Sequence, residues 1–200
     1  MAATAPARRL TEAEYLDFER KADAKHEFFG GEFFAMAGGS PAHSLIATNI
    51  AGELRNSLKG RSCRPYNSDL RIKVELTGLI TYPDVSVICG PLQFAPGTED
   101  TVINPTALFE VLSDSTEAYD RGNKFLNFQR IASLREYALV SQQEARIELF
   151  VRGEAGQWTW RVAEGKESTL SLPSLEITLA LSEVFANVEF QPAQVRATRV

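Results

Sequence analysis

The sequence has little of several features that mark particular protein classes. Cys63 and Cys89 are the only cysteines in 200 residues. Their spacing is not that of a metal-binding cluster, so we expect reduced thiols in a cytoplasmic protein. No apolar stretch approaches the roughly 20 residues that span a bilayer. The basic start, 1–9, lacks the apolar segment of a secretory signal, so we expect no membrane association. No glycine-rich phosphate loop or dinucleotide-binding motif is present.

Histidine and positive charge are also scarce. His26 and His43 are the only histidines, which gives little support for a Ser/His/Asp or Cys/His nucleophile. We interpret His43, near a predicted helix start, as structural or adjacent to substrate rather than as a general base. The net charge of −5 argues against tight, non-specific binding of nucleic acid.

One segment departs from this average charge. Between positions 55 and 73 there are six basic residues and a single acid, Asp69. The basic residues are Arg55, Lys59, Arg61, Arg64, Arg71 and Lys73. A phosphate backbone could lie along such a stripe, so these residues are candidates for nucleic-acid binding. A solvated face that is balanced by acids elsewhere is an equally good interpretation.

The remaining composition is that of a globular domain, with 44% hydrophobic and 24% charged residues. We expect one domain over 10–190, with loose termini at 1–9 and 191–200. The predicted helices are 11–21, which opens with a capping box, then 40–58, 113–132 and a last turn at 181–185. The predicted strands are two within 25–36, then 70–76, 79–89, 107–112, 136–141, 146–152 and 158–162, and 91–105 is a loop. This order predicts an α/β (α+β) fold with a mixed sheet.

A carboxylate interrupts one of these apolar strands. Glu110 lies within 107–112, where every other residue is apolar. A carboxylate inside such a strand is costly unless it is paired or bound to metal, and acids of this kind cluster at functional sites. We therefore favour metal binding or catalysis for Glu110, with a structural salt bridge as the alternative.

Three further charged residues are candidates for the same site. Asp84 opens a strand, and both it and Glu110 can converge on one divalent cation if their strands are adjacent; the alternative for Asp84 is a turn. Asp120 and Lys124 share a helix face. For Asp120 we favour an exposed ion pair of little energetic value, whereas the Lys124 helix directly follows the Glu110 strand. Glu27 is either a third acid or part of the polar face of a hairpin.

The order of several short motifs resembles a known family. The motifs are 25–32 (KHEFFGGE), His43, 82–87 (YPDVSV), 109–113 (FEVLS), 120–124 (DRGNK) and 135–140 (REYALV). They resemble the Uma-type restriction endonuclease family of bacteria, which belongs to the PD-(D/E)xK nuclease superfamily. The resemblance runs from about Leu10 to Phe185. It implies a restriction-endonuclease-like fold, in which helices flank a mixed β-sheet.

The resemblance also implies roles for individual residues. Asp84 matches the metal-binding aspartate, Glu110 the second acid, and Glu27 an additional acid. The superfamily lysine normally follows two residues after the second acid, where this chain has Leu112, and the resemblance transfers its role to Lys124. The implied activity is that of an endonuclease that hydrolyses DNA phosphodiester bonds with Mg²⁺ or Mn²⁺. Asp84 and Glu110 would bind the metal, and Lys124 would stabilise developing charge or position water.

Two other functions are compatible with the same residues. The chain could be a catalytically inactive nuclease-fold binding or regulatory module, or a structural dimer in which the acids are only ion-paired. The expected partners are DNA and a second copy of the chain in a homodimer. Metal bound at Asp84 and Glu110 would favour the nuclease, whereas acids paired to arginine with Lys124 far away would favour the other two.

Overall fold

A computed structural model of the chain describes residues 9–190. The helices are α1 (Glu12–Glu19), α2 (Pro41–Ser57), α3 (Glu117–Tyr119), α4 (Phe125–Phe128) and α5 (Leu181–Val184). A π-helical turn, Asp120–Lys124, joins α3 to α4. The strands are β1 (His26–Phe29), β2 (Glu32–Ala35), β3 (Cys63–Asn67), β4 (Arg71–Val74), β5 (Leu79–Thr81), β6 (Val85–Cys89), β7 (Thr101–Val102), β8 (Ala107–Val111), β9 (Glu136–Val140), β10 (Arg146–Arg152), β11 (Trp158–Glu164), β12 (Thr169–Leu172) and β13 (Ile177–Ala180). Within residues 9–190, none of the helices combines the length and apolar character needed to cross a membrane.

The strands form two larger sheets and a small one. The first sheet has the order β11-β10-β9-β8-β6-β3, the second β2-β1-β5-β4-β7, and β12 pairs with β13. In the first sheet β8 is central, parallel to β9 and antiparallel to β6. This mixed sheet flanked by helices confirms the predicted fold class.

The central strands of the first sheet are buried on both faces, and β8 supplies side chains to each. Phe109 and Val111 belong to a first core, which α2 covers with Ile46, Ile50 and Leu54. Leu108 and Leu112 belong to a second core. That core also holds Phe125 and Phe128 of α4, together with Ile72, Val74 and Leu79 of the second sheet. Because side chains alternate along a strand, Glu110 lies on the face of the second core.

Local sequence signals explain the first two helices. The Thr11 hydroxyl accepts a hydrogen bond from the Glu14 amide at 3.2 Å, and the Glu14 carboxylate accepts one from the Thr11 amide at 2.9 Å, as the capping box predicts. Ser40 caps α2 by accepting from the His43 amide at 3.1 Å, with Pro41 in the first turn. These bonds fix where each helix begins.

The structure corrects several predicted elements. The single strand predicted at 79–89 is two strands in different sheets, because Pro83 lacks the amide that would continue the ladder. The strands β3, β7, β12 and β13 were not predicted; β3 is an edge strand, which tolerates its proline, Pro65. The helix predicted at 113–132 is shorter, 117–128, and contains the π-helical turn. The predicted loose termini lie outside the described residues except for Arg9.

The prediction for the cysteines is wrong. Cys63 and Cys89 form a disulfide, with Cα atoms 3.9 Å apart. The two residues stand directly opposite each other on the antiparallel strands β3 and β6. Sequence spacing could not reveal this, since β3 itself was not predicted. The cytoplasmic localisation, which used the reduced thiols as its argument, stays a prediction.

Candidate active site

Glu110 occupies a buried position on the central strand. Its side chain is 5% exposed, and it lies between Leu108 and Leu112 on the face of the second core. Burial raises the pKa of this carboxyl well above its usual value, and the charges of Asp120 and Asp84 raise it further. Lys124 acts in the opposite direction. Lys124 therefore favours the charged form of this carboxyl, against burial and the two acids.

That partner comes from the π-helical turn. The Lys124 ammonium nitrogen lies 2.8 Å from Glu110 Oε1 and 3.3 Å from Asp120 Oδ1, and the lysine side chain is 6% exposed. Burial by itself would lower the pKa of Lys124, but the carboxylates of Glu110, Asp120 and Glu27 raise it overall. The ammonium is therefore charged in the folded protein. The expected approach of Lys124 to Glu110 from the following helix is what the structure shows.

Asp120 is placed differently from its predicted position. It is 3% exposed and joins the buried cluster, whereas the sequence favoured an exposed ion pair. The reason is that Asp120 shares the face of Lys124, and the ion pair of Lys124 with Glu110 holds that face against the central strand. Asp120 and Lys124 both point towards the Glu110 strand as a result.

Asp84 lies next to Glu110 through the pairing of β6 with β8. Val85 is opposite Phe109, so the same antiparallel register places Asp84 opposite Glu110. Asp84 Oδ2 accepts a hydrogen bond from the Val111 amide at 2.8 Å. The two predicted metal-binding acids are thus brought together at one end of two neighbouring strands.

His43 is the second partner of Asp84. Its Nε2 lies 3.0 Å from Asp84 Oδ1, and both side chains are 18% exposed. The hydrogen bond to Asp84 raises the pKa of His43, with burial acting against it. This contact makes His43 a member of the site, and its expected role, structural or adjacent to substrate, stays a prediction. Its position in the first turn of α2 follows from the Ser40 cap.

Glu27 and Tyr119 complete the cluster from two further elements. Glu27, on β1, is 8% exposed, and the Tyr119 hydroxyl donates a hydrogen bond to its Oε1. Glu27 also raises the pKa of Lys124, so this acid faces the same ammonium. The sequence left Glu27 open between a third acid and a hairpin face, and missed Tyr119. A tyrosine immediately before the DRGNK motif was the available signal.

The charges of the cluster do not balance. Four acids, Glu27, Asp84, Glu110 and Asp120, face one lysine and one histidine. Among residues 9–190, no group of three or more His, Cys, Asp or Glu side chains has the arrangement of a metal site. Protein ligands for a cation would therefore be a pair of carboxylates rather than a closed cage.

The predicted basic stripe is not continuous. Arg55, Lys59, Arg61 and Arg64 are exposed, although Arg61 donates to the Leu175 carbonyl oxygen at 2.9 Å. Arg71 and Lys73 lie on β4, in the other large sheet from Arg64. Arg71 is 7% exposed and donates to the Tyr82 hydroxyl, and Lys73 pairs with Glu12 at 2.6 Å. The structure thus separates these two residues from the other four.

The architecture is that of the restriction-endonuclease-like fold. The crystal structure of a putative nuclease belonging to DUF820 from Anabaena variabilis matches with a TM-score of 0.72. The match covers 88% of this chain and 97% of that one at 18% identity, a likeness that concerns the fold. The chain belongs to the Uma2 family, described as Putative restriction endonuclease, whose model matches residues 12–182. The family expected from the motifs is thereby confirmed.

Two relatives from Synechocystis sp. are similar over nearly their whole length. Uncharacterized protein slr1290 is 36% identical over 187 residues, which cover 94% of this chain and 97% of that protein. Uncharacterized protein sll1609 is 31% identical over 177 residues, which cover 88% of this chain and all of that protein. The similarity therefore extends across the elements that build the site.

Proposed function

We propose that the protein is an endonuclease that hydrolyses DNA phosphodiester bonds with Mg²⁺, or with Mn²⁺ in its place. The observation that carries this proposal is the buried Lys124 ammonium, 2.8 Å from Glu110, with Asp84 opposite Glu110 on the neighbouring strand. The family description and the structural neighbour point to the same chemistry. A lysine is buried in this way at a cost, which a role in charge stabilisation explains.

The acids fit a hard divalent cation. Mg²⁺ is commonly held by one or two carboxylates together with waters and substrate phosphates. Asp84 and Glu110 provide such a pair, and the excess of negative charge around them favours a dication. When bound, Mg²⁺ would neutralise charge on a phosphate and make a water molecule more acidic.

The surrounding residues have separate tasks under this proposal. Lys124 would donate hydrogen bonds to the oxygen on which negative charge develops, and its own charge is maintained by Glu110, Asp120 and Glu27. His43 and the Val111 amide hold the Asp84 carboxylate in a fixed orientation. Tyr119 holds Glu27. The site is thus preorganised before substrate arrives.

Leu112 occupies the position that the lysine normally takes in the superfamily. Leu112 lies in the second core and is 7% exposed, so it offers nothing to a phosphate. Lys124 approaches the same acid from the helix that packs over that core. Under this proposal the chemistry of the lysine would be supplied from a different element of the fold.

Nicking of supercoiled plasmid by the purified protein tests the proposal. We expect nicking in Mg²⁺ or Mn²⁺ and none in EDTA, with Glu110→Ala inactive under all conditions. Glu136→Gln is the matched control, because Glu136 is also a buried strand glutamate, 1% exposed, at the other end of the β8–β9 pair. Nicking by Glu110→Ala at the wild-type rate would exclude this cluster as the active site.

One observation favours a second candidate function. Each acid of the central pair already has a positive or polar partner, Lys124 for Glu110 and His43 for Asp84. Acids with such partners need no metal ion, so the same pairs would also be stable in a nuclease-fold binding or regulatory module that does not cut DNA. Binding of DNA without metal-dependent cleavage, in preparations that bind no Mn²⁺, would support this alternative.

A further inference from the structure

The β1–β2 hairpin presents two chemically different faces. Side chains alternate along each strand, and the register pairs Glu27 with Phe34 and Phe28 with Phe33. The first face, with Phe28 and Phe33, packs against α1. The ring centroids of Phe28 and Tyr15 are 4.7 Å apart, and those of Phe33 and Phe18 are 4.8 Å apart. The hydrophobic residues of this face are explained by packing.

The other face of the hairpin belongs to the candidate active site. It carries Glu27, Phe29 and Phe34, because Phe29 is two positions from Glu27 and Phe34 is directly opposite it. Glu27 is bound by Tyr119 and acts on Lys124. Phe29 is 43% and Phe34 51% exposed. Two large apolar rings are therefore open to solvent at the edge of a site built from charged residues.

The charge of the molecule favours a single strand over a duplex on this face. Duplex binding depends on neutralising many phosphates with lysine and arginine. This chain has a net charge of −5, and of its basic segment Arg71 is buried and Lys73 is ion-paired. Single-strand binders also use basic residues for the phosphates, but stacking of unpaired bases on aromatic rings adds affinity that a duplex, with its bases already stacked, does not gain from such rings.

We propose that the substrate of the candidate active site is single-stranded DNA, and that Phe34 and Phe29 form the platform on which its bases stack beside Glu27. This inference rests on the proposed nuclease function and names its substrate class. Because Phe34 is the cross-strand neighbour of Glu27, and Glu27 acts on Lys124, a base stacked on Phe34 would lie beside the charged cluster. The aromatic platform would supply affinity while the charged cluster supplies chemistry.

Fluorescence anisotropy in EDTA, where cleavage is blocked, tests the platform. The probes are a fluorescein-labelled oligothymidylate of about 20 nucleotides and a duplex of the same length, each titrated with the full chain. We expect the single strand to bind more tightly than the duplex. Phe34→Ala should weaken single-strand binding roughly 5- to 100-fold. Phe34→Trp should retain binding, and the fluorescence of the introduced indole should be quenched on stacking.

Phe33→Ala is the matched control, since Phe33 is the neighbouring residue, is 41% exposed and points to the α1 face. The Phe33→Ala variant should bind the single strand with an affinity within about twofold of that of wild type. Tighter binding of the duplex, or unchanged affinity in Phe34→Ala, would overturn the inference. So would a shift of the monomer–dimer equilibrium in Phe34→Ala with unchanged DNA binding, which would assign the face to a second copy of the chain.

Cleavage assays separate this inference from the proposed function. Wild type and Phe34→Ala are compared in Mg²⁺ on the oligothymidylate and on supercoiled plasmid. If both proteins cut both substrates equally, the nuclease stands and the platform is rejected. If wild type neither binds nor cuts either substrate, the proposed function fails and the inference fails with it. Selective loss of single-strand cleavage in Phe34→Ala supports both.

Discussion

Lys124 and Glu110 form a buried ion pair, with 2.8 Å between Nζ and Oε1 and side chains 6% and 5% exposed. Neither residue has an ordinary environment for its charge. Burial raises the pKa of Glu110, while the neighbouring carboxylates raise that of Lys124 against the effect of its own burial. Lys124 offsets part of the cost of charging Glu110, and Glu110 helps to keep Lys124 charged, so each is expected to depend on the other for stability as well as for chemistry.

Removal of the Lys124 side chain should lower both the stability of the fold and the rate of plasmid nicking. Lys124→Ala leaves Glu110 and Asp120 buried without their cation, which we expect to cost about 3–5 kcal/mol of unfolding free energy. Plasmid nicking should fall by about two orders of magnitude or more. Lys124→Arg should rescue poorly, since a planar guanidinium does not replace a compact ammonium. Urea unfolding and nicking rates on the same preparations check this. Lys73→Ala, which breaks a different lysine pair, should keep wild-type nicking.

Replacement of Glu110 by glutamine should show the pKa shift as a dependence of stability on pH. The pKa of Glu110 in the folded protein lies above its ordinary value of 4.5, so the fold favours the neutral form. The stability that this shift contributes is complete below pH 4.5 and is lost as pH rises through the raised pKa. Wild type should therefore lose stability relative to Glu110→Gln as pH rises from 4.5.

The measurement is urea unfolding of both proteins in EDTA across that pH range, with Glu75→Gln, an exposed glutamate, as the control. A difference in unfolding free energy that stays constant with pH would contradict the assigned shift. Nicking by Glu110→Gln should be reduced by about two orders of magnitude or more, because it loses an anionic ligand.

His43 should contribute stability with the same sign of pH dependence. Its hydrogen bond to Asp84 raises its pKa above 6.5, helped by the charge of Asp120 and opposed by burial and by Lys124. The contribution is therefore complete below pH 6.5 and disappears as pH rises through the raised value. NMR titration of the two histidines, assigned with a His26→Gln variant, should place the midpoint of His43 above 6.5. A His43 midpoint below pH 6.5 would contradict a pKa that is raised by the hydrogen bond to Asp84.

The disulfide should stabilise the chain measurably. Cys63 and Cys89 are separated by 26 positions, and closing a loop of that size contributes about 3–4 kcal/mol by restricting the unfolded chain. Dithiothreitol should lower the melting temperature of wild type by several degrees and should leave the melting temperature of Cys63→Ser unchanged. Thiol titration of the unreduced, denatured protein gives an independent check, since two reactive thiols would show that the bond does not form.

Much of the fold could be read from the sequence because its signals are local. The capping box at Thr11 and the Ser40-Pro41 cap fixed the starts of α1 and α2, and the apolar run at 107–112 identified the central strand. The strands β12 and β13 carried readable alternation, with Leu170 and Leu172 buried between exposed residues, but they are short. The start of a strand after Pro83 could be read, but its membership of the other large sheet could not, since that depends on which partner strands are available.

The site was recovered in part, for similar reasons. Glu110 was evident as a charge inside an apolar strand, whereas Asp84 and Lys124 gained their roles mainly from the family resemblance. Asp120 was misplaced because an i,i+4 pair on a helix is usually exposed, although the same spacing puts Asp120 on the face from which Lys124 reaches Glu110. Tyr119 was missed because its partner, Glu27, lies far away in sequence and comes close only when the two large sheets meet.

The wide separation of the site residues along the chain has a consequence for synthesis. The cluster begins with Glu27 and is complete only with Lys124, and Tyr137 supports the π-helical turn by donating a hydrogen bond to the Asp120 carbonyl oxygen at 3.0 Å. A nascent polypeptide emerges from the ribosome in order, so a growing chain that has not yet released these last residues holds unmatched acids and no buried ammonium. Under the proposed function, the protein is harmless to DNA during its own translation, and cutting begins only after most of the domain has been made and folded.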